Sequence, residues 1–171
     1  MAECKQAVLV EKETAHRDCL TGCYDRMTIR HLVDLCFLKS DVRQSHAMFV
    51  IDVDNFKDYN DKYGHANGDL CLKHFAAAMK KCFPKDSILG RYGGDEFVVF
   101  MPDICDQSVI KKRADSVQKS LNDFKEIQIG TSIGIALYPE NGTEYESLFN
   151  KADEAMYYSK THGKGQAHIS Q

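Results

Sequence analysis

Four carboxylates stand where they can meet: Asp52 and Asp54 in "IDVDN", and Asp95 and Glu96 in "RYGGDEFVVF". Asp52 and Asp54 are two residues apart near the end of an apolar run, so in a strand their side chains can share a face. Asp95 and Glu96 follow Gly93 and Gly94, a pair suited to a tight turn between two strand-like runs. If the first strand lies beside that hairpin, three or four acids converge, repel one another and raise their own pKa values. A hard divalent cation such as Mg2+ resolves the conflict, because it takes oxygen ligands and shares them with phosphates. Lys57 follows the first acid pair closely, and Lys160 and Lys164 lie within "SKTHGKG"; all three can meet a phosphate. The plainer reading makes Asp54 a turn cap in "DNFKDYND", Asp95 a turn residue, Glu96 an exposed strand residue and each lysine a solvated one. The residue types alone leave both readings open.

The elements that must hold these groups follow from periodicity. "RMTIRHLVDLCFLK" (26–39) places Leu32, Leu35, Cys36 and Leu38 near one face, a helical pattern. Apolar spacing predicts further helices over 68–83, 105–124 and 143–163, the last opening on Thr143 and Glu146 with the spacing of a capping box. Strand patterns occupy 46–54, 87–92, 96–101 and 127–138, and "QAHIS" (166–170) suits an edge strand. Helices interleave with strands, yet the middle pair is a hairpin. The pattern therefore predicts an α+β sandwich, with five strands in a ferredoxin-like order and helices flanking the sheet.

Bulk properties exclude several classes. A chain of 171 residues suits one domain with a real core. A net charge of -3 gives no bulk argument for nucleic acid or membrane binding. The longest apolar runs, "AMFVI" and "FVVFM", are too short to cross a bilayer, and the N-terminal residues lack a signal-peptide pattern, so a cytoplasmic location is expected. The seven cysteines are odd in number and include no C-x-x-C pair, which favours reduced packing residues over zinc or disulfides.

With these residues in view, the sequence resembles the GGDEF family, the diguanylate cyclases. Gly93-Gly94-Asp95-Glu96-Phe97 is the name-giving signature. "DCLTGCYDR" (18–26) is similar to the family's D-x-L-T-G-x-x-N-R. "IDVDNFKDYNDKYGHANGDLCL" (51–72) is similar to its D-x-D-x-F-K-x-x-N-D-x-x-G-H-x-x-G-D segment. "TSIGIA" (131–136) and "ADEAMYYSKTHGKGQ" (152–166) follow in the family's order. The likeness covers about residues 18 to 168, and 18–171 is expected to be the catalytic domain. Residues 1–17 read as the end of a helical linker from an upstream sensory or dimerisation region. The implied fold is a mainly antiparallel sheet wrapped by helices, akin to the palm of polymerases.

The resemblance implies a reaction joining two GTP molecules into cyclic di-GMP with release of two pyrophosphates. It implies two Mg2+ or Mn2+ ions per site, held by Asp52, the Val53 carbonyl, Asp95 and Glu96. Asp95, Glu96 and Lys57 match catalytic positions. Asn60 and Asp69 match the pair that reads guanine. Gly93 and Gly94 leave room for the nucleotide, and Lys160 and Lys164 match the triphosphate-binding basic pair. His65 matches a nucleotide-contacting position and equally suits a loop-stabilising role. One domain holds one GTP, so the partner is a second copy of the domain. A second reading is a catalytically weak or degenerate domain that binds GTP as a sensor.

Four departures stand out. Lys164 replaces the usual arginine and loses its bidentate fork. Gly165-Gln166 and Asp25 also differ from the usual residues. The inhibitory R-x-x-D found upstream in many members is replaced by Pro84-Lys85-Asp86-Ser87. Product inhibition of that type is therefore not expected, and Lys85 and Asp86 read as turn residues.

Overall fold

In the computed structural model, residues 15–38, 44–104, 106–122 and 129–171 are described. The N-terminal segment up to residue 14, with Cys4, and Cys105 lie outside them. The elements run α1 (Arg26–Phe37), β1 (His46–Val53), α2 (Phe56–Tyr63), α3 (His65–Cys82), β2 (Ile88–Gly93), β3 (Glu96–Met101), α4 (Gln107–Asn122), β4 (Thr131–Tyr138), α5 (Tyr145–Thr161) and β5 (Ala167–Ile169). The five strands form one sheet in the order β2-β3-β1-β4-β5. β1 is central and pairs antiparallel with both β3 and β4, while β5 adds parallel to β4. This is the expected α+β, palm-like sheet.

Strand alternation divides the core between two faces. Phe49, Ile51, Val53, Phe97, Val99, Ile133 and Ile135 pack with Leu72, Phe75 and Met79 of α3 and Ile110 and Val117 of α4. Met48, Val50, Val98, Phe100 and Ala136 pack with Ile29 and Leu32 of α1 and Leu148 and Met156 of α5. Every residue of β1 is buried, which suits a strand covered on both faces and flanked on both edges. Cys23, Cys71 and Cys82 are buried free thiols in this packing, as the cysteine pattern predicted.

Two local expectations are corrected. The sequence reading placed no element between residues 55 and 67, where the structure has α2 and the first turn of α3. α2 has only eight residues and buries none of them fully, though Phe56 and Tyr59 pack at the margin of the core. Gly64, at φ 85°, separates the two helices. The capping box of α5 falls one residue later than predicted: Glu144 is the N-cap, and its amide donates to Ser147 Oγ at 3.3 Å.

Candidate active site

Register brings the acids together. Asp52 of β1 lies directly opposite Glu96 of β3 on one side and Ser132 of β4 on the other. Directly paired residues project to the same face, so Asp52 and Glu96 sit side by side at the end of the sheet, on the face covered by α5. Asp52 is only 6% exposed. The Val53 amide donates to the Asp95 carbonyl oxygen at 3.3 Å, which ties the hairpin turn to the end of β1.

α5 supplies the opposing charge. It approaches β4 at Gly134, where an added Cβ would lie 1.9 Å from the Ala152 carbonyl oxygen and 2.2 Å from the Met156 nitrogen. One turn further, Ser159 Oγ donates to the Ile133 carbonyl at 3.0 Å. The next residue, Lys160, places its Nζ 2.8 Å from Asp52 Oδ2.

One ammonium does not balance this cluster. Burial, joined by the charges of Asp95 and Glu96, pushes the Asp52 carboxyl up to about 6, despite the lysine. Burial also raises Glu96, with Asp153 and Asp95 adding to it and Lys160 and Arg26 opposing. Burial alone would lower the Lys160 pKa, but Asp52, Asp95 and Glu96 outweigh it and hold the ammonium above its usual range. The site is short of positive charge.

Asp54 has a different task. Its Oδ1 accepts from Ser132 Oγ at 2.7 Å and its Oδ2 from the Gly165 amide at 2.9 Å. It thus binds the loop after α5 to the end of β1, and Lys164 in that loop donates to Asn55 Oδ1 at 2.6 Å. Lys164 and Asn55 are both left-handed, at φ 60° and 58°. The structure therefore takes Asp54 out of the converging acids and makes it a latch, with Lys164 beside the end of β1.

The Gly93-Gly94 turn is braced from outside. Gly94 has φ 52°, which favours glycine. Arg91 donates to the Gly94 carbonyl through Nε at 2.9 Å and Nη2 at 2.6 Å. Its Nη1 meets both oxygens of Asp18 at 3.2 Å. Asp18 also accepts from the Thr21 amide at 2.8 Å and hydroxyl at 2.6 Å. Although burial alone would raise the Asp18 carboxyl, these bonds and the Arg91 charge hold it below its usual value. Sequence reasoning gave Arg91 and Asp18 no role; the local signal was the spacing of Asp18 and Thr21, which suits a side-chain-capped turn.

The remaining candidates lie on α2 and α3. Lys57, His65 and Asp69 are exposed. Asn60 faces Gly68, where an added Cβ would sit 1.8 Å from Asn60 Oδ1. That oxygen is buried without a hydrogen-bond partner. An amide with spare capacity is a feature a polar ligand can use. Lys85 and Asp86 form an exposed turn closed by the Ser87 amide on the Pro84 carbonyl at 3.0 Å.

Among the described residues, no three His, Cys, Asp or Glu side chains have the spacing of a metal-ion site. The oxygen chemistry nevertheless suits a hard cation, which needs only one or two carboxylates when phosphates and water supply the rest. Asp52 and Glu96, paired across β1 and β3, offer two such carboxylates, with Asp95 on the adjoining turn. No described helix is long and apolar enough to cross a membrane.

Comparison with known proteins agrees with this architecture. The family model "Diguanylate cyclase, GGDEF domain" matches residues 15–166. Among curated proteins, the chain is 35% identical over 157 residues to the cyclic di-GMP phosphodiesterase PdeR of Escherichia coli, covering 89% of this chain and 23% of that protein. It is 32% identical to the probable diguanylate cyclase DgcE of Escherichia coli, covering 91% of this chain and 15% of that protein. It is 31% identical to the diguanylate cyclase TpbB of Pseudomonas aeruginosa, covering 92% and 38%. The chain therefore spans well under half the length of these relatives. Among solved structures, the GGDEF domain of Pseudomonas aeruginosa TpbB superposes with a TM-score of 0.86 at 29% identity, covering 91% of this chain and 95% of that one. A sensory box/GGDEF protein of Caulobacter crescentus gives 0.79 at 33% identity, covering 87% and 100%. A match over most of the chain, together with the GGDEF turn at the end of this sheet, shows that the chain belongs to the GGDEF family of diguanylate cyclase domains.

Proposed function

We propose that this domain condenses two GTP molecules into cyclic di-GMP, with two copies facing each other. The observation that carries the reading is the pairing of Asp52 with Glu96 at the sheet end, with Lys160 on Asp52 and the Asp95 turn alongside. Asp52, the Val53 carbonyl, Asp95 and Glu96 would hold Mg2+ or Mn2+, two per site. Bound there, the cations would neutralise the triphosphate and stabilise charge on the attacking and leaving oxygens.

The chain's own groups do the rest. Lys160 and Lys164 bind the triphosphate from the α5 side, and Lys57 meets it from α2. Gly93 and Gly94 let the nucleotide approach the backbone. Asn60 and Asp69 read guanine, with Asp69 accepting from N1–H and the 2-amino group and Asn60 turning its amide to the base edge. His65 flanks them. Asp95 takes the proton from the 3′-hydroxyl as that oxygen attacks the α-phosphate of the GTP held by the facing copy, and pyrophosphate leaves; the converse attack closes the ring. Glu96 fixes the arrangement beside Asp52. With Pro84 and Ser87 where R-x-x-D would stand, added cyclic di-GMP should leave the rate unchanged through that route.

A second reading is a domain that binds GTP without turnover, acting as a sensor within a larger protein. It draws on one curated relative named as a phosphodiesterase, of which the chain matches 23%, so a domain of this kind also lies within a protein named for another activity. Incubation of the purified chain with GTP and Mg2+, with products identified by mass, decides between them. Cyclic di-GMP and pyrophosphate support the cyclase. Saturable GTP binding with neither product supports the sensor.

A further inference from the structure

The ion pair between Lys160 and Asp52 has a consequence for how the site is loaded. Lys160 Nζ sits 2.8 Å from Asp52 Oδ2, and the carboxylate is nearly sealed from water. Asp95 and Glu96 act on the same ammonium. Lys160 thus holds one of the two oxygens that Asp52 could offer a cation. The lysine is itself partly exposed, at 31% of its side-chain area, so it has room to move outward. α5 is meanwhile fixed by Ser159 and by the close approach at Gly134, so movement is confined to the flexible side chain.

We propose that Lys160 is an exchangeable counter-ion: it occupies the cation position on Asp52 in the empty site and is displaced to the nucleotide's phosphates when a divalent ion binds. This rests on the nucleotide-binding reading above and adds an order of events to it. An ammonium and a dication contest one carboxylate, so the ion alone binds weakly. A triphosphate offers the displaced ammonium a new partner, so nucleotide and ion bind together better than either binds alone. The coupling is reciprocal by thermodynamic necessity. It also gives one residue opposite effects on two ligands. Removing the ammonium frees Asp52 for the ion and deprives the phosphates of a partner. Lys164, held by Asn55 rather than by a carboxylate, has no such double role.

The test uses Mn2+ as the probe, with free ion followed by electron paramagnetic resonance, and GTP binding followed by calorimetry in EDTA. The proteins are wild type, Lys160→Met, Lys160→Gln and Lys164→Met, each shown to be folded by circular dichroism and compared at a pH where carboxylates are ionised. The expected result is Mn2+ binding without nucleotide strengthened roughly fivefold or more in both Lys160 variants, as loss of one competing charge–charge contact implies. GTP binding without metal should weaken in those variants. Lys164→Met should weaken GTP binding and leave Mn2+ unchanged. Mn2+ affinity that is unchanged or lowered in both Lys160 variants overturns the exchange while leaving the metal site intact. No Mn2+ binding by any protein, with or without GTP, overturns the metal-site reading and the exchange with it.

Discussion

The guanidinium of Arg91 joins Asp18 to the Gly94 carbonyl, linking a capped turn near the start of the domain to the turn that carries Asp95 and Glu96. The link spans 73 positions in sequence. It uses all three nitrogens of one planar group, so no shorter or single-pointed cation replaces it. Arg91→Lys keeps the charge and loses the fork. The expected outcome is a fall in kcat of about tenfold to a hundredfold, since a misplacement of about 1 Å at a reacting group has that effect. KM for GTP and the melting temperature should change little. Steady-state kinetics beside a thermal melt check this, and an unaltered kcat would remove the brace from the account.

Gly134 is where α5 meets the sheet. A methyl group there collides with backbone atoms of Ala152 and Met156, which cannot turn aside as a side-chain tip can. Gly134→Ala should cost about 3 kcal/mol, near the upper end for overpacking. Urea unfolding followed by far-UV circular dichroism measures it. A loss within experimental error would mean that α5 sits further from β4.

In the proposed function Asp69 reads guanine, because a carboxylate can accept the paired donors of that base, which adenine lacks. Asp69→Asn replaces one acceptor by a donor facing a donor. kcat/KM for GTP should drop by about tenfold to a hundredfold, the scale of an unpaired buried polar group. Turnover of ATP should not fall. Competition between the two nucleotides in variant and wild type gives the ratio, and an unchanged ratio would move guanine recognition elsewhere.

His46 makes the fold sensitive to acid. Burial lowers its pKa below the ordinary 6.5, with nearby Asp103 opposing. Its Nδ1 accepts from the Asp103 amide at 3.0 Å, so the unprotonated ring is the form that fits. The folded pKa is the lower one, so this residue's contribution is whole above the unfolded pKa and is lost as pH falls through the folded value. Asp52 works in the opposite direction, because its carboxyl titrates at about 6 in the fold against 3.8 otherwise. Comparison with His46→Gln isolates the histidine. Between about pH 7 and about pH 5 the wild type should lose stability relative to the variant, in urea midpoints taken at each pH. Parallel curves would contradict the assignment.

What the sequence made legible was short in range. The apolar run of "HAMFVIDVD" read as a buried strand and the glycines of "RYGGDEF" as a turn, because both are local properties; that the strand lies beside the hairpin was a condition left open, and the register of β1 with β3 meets it. α2 was missed although Phe56, Tyr59 and Tyr63 recur at helical spacing, because an eight-residue element directly after β1 reads as a turn in "DNFKDYND". Asp54 was grouped with Asp52 because parity puts both on one face; its partners Ser132 and Gly165 lie on segments that only the closed sheet brings near. The contact of Lys160 with Asp52 and that of Arg91 with Asp18 were hidden for the same reason.

The proposed chemistry needs two copies of this domain to join GTP across a shared interface. The most direct measurement is cyclic di-GMP formed per chain per minute, by mass, across a wide range of chain concentration at saturating GTP and Mg2+. The account predicts cyclic di-GMP at a specific rate that climbs with chain concentration and then levels off, and none from Asp95→Asn. No product at any concentration from folded, GTP-binding protein would contradict it, and so would equal product from the variant.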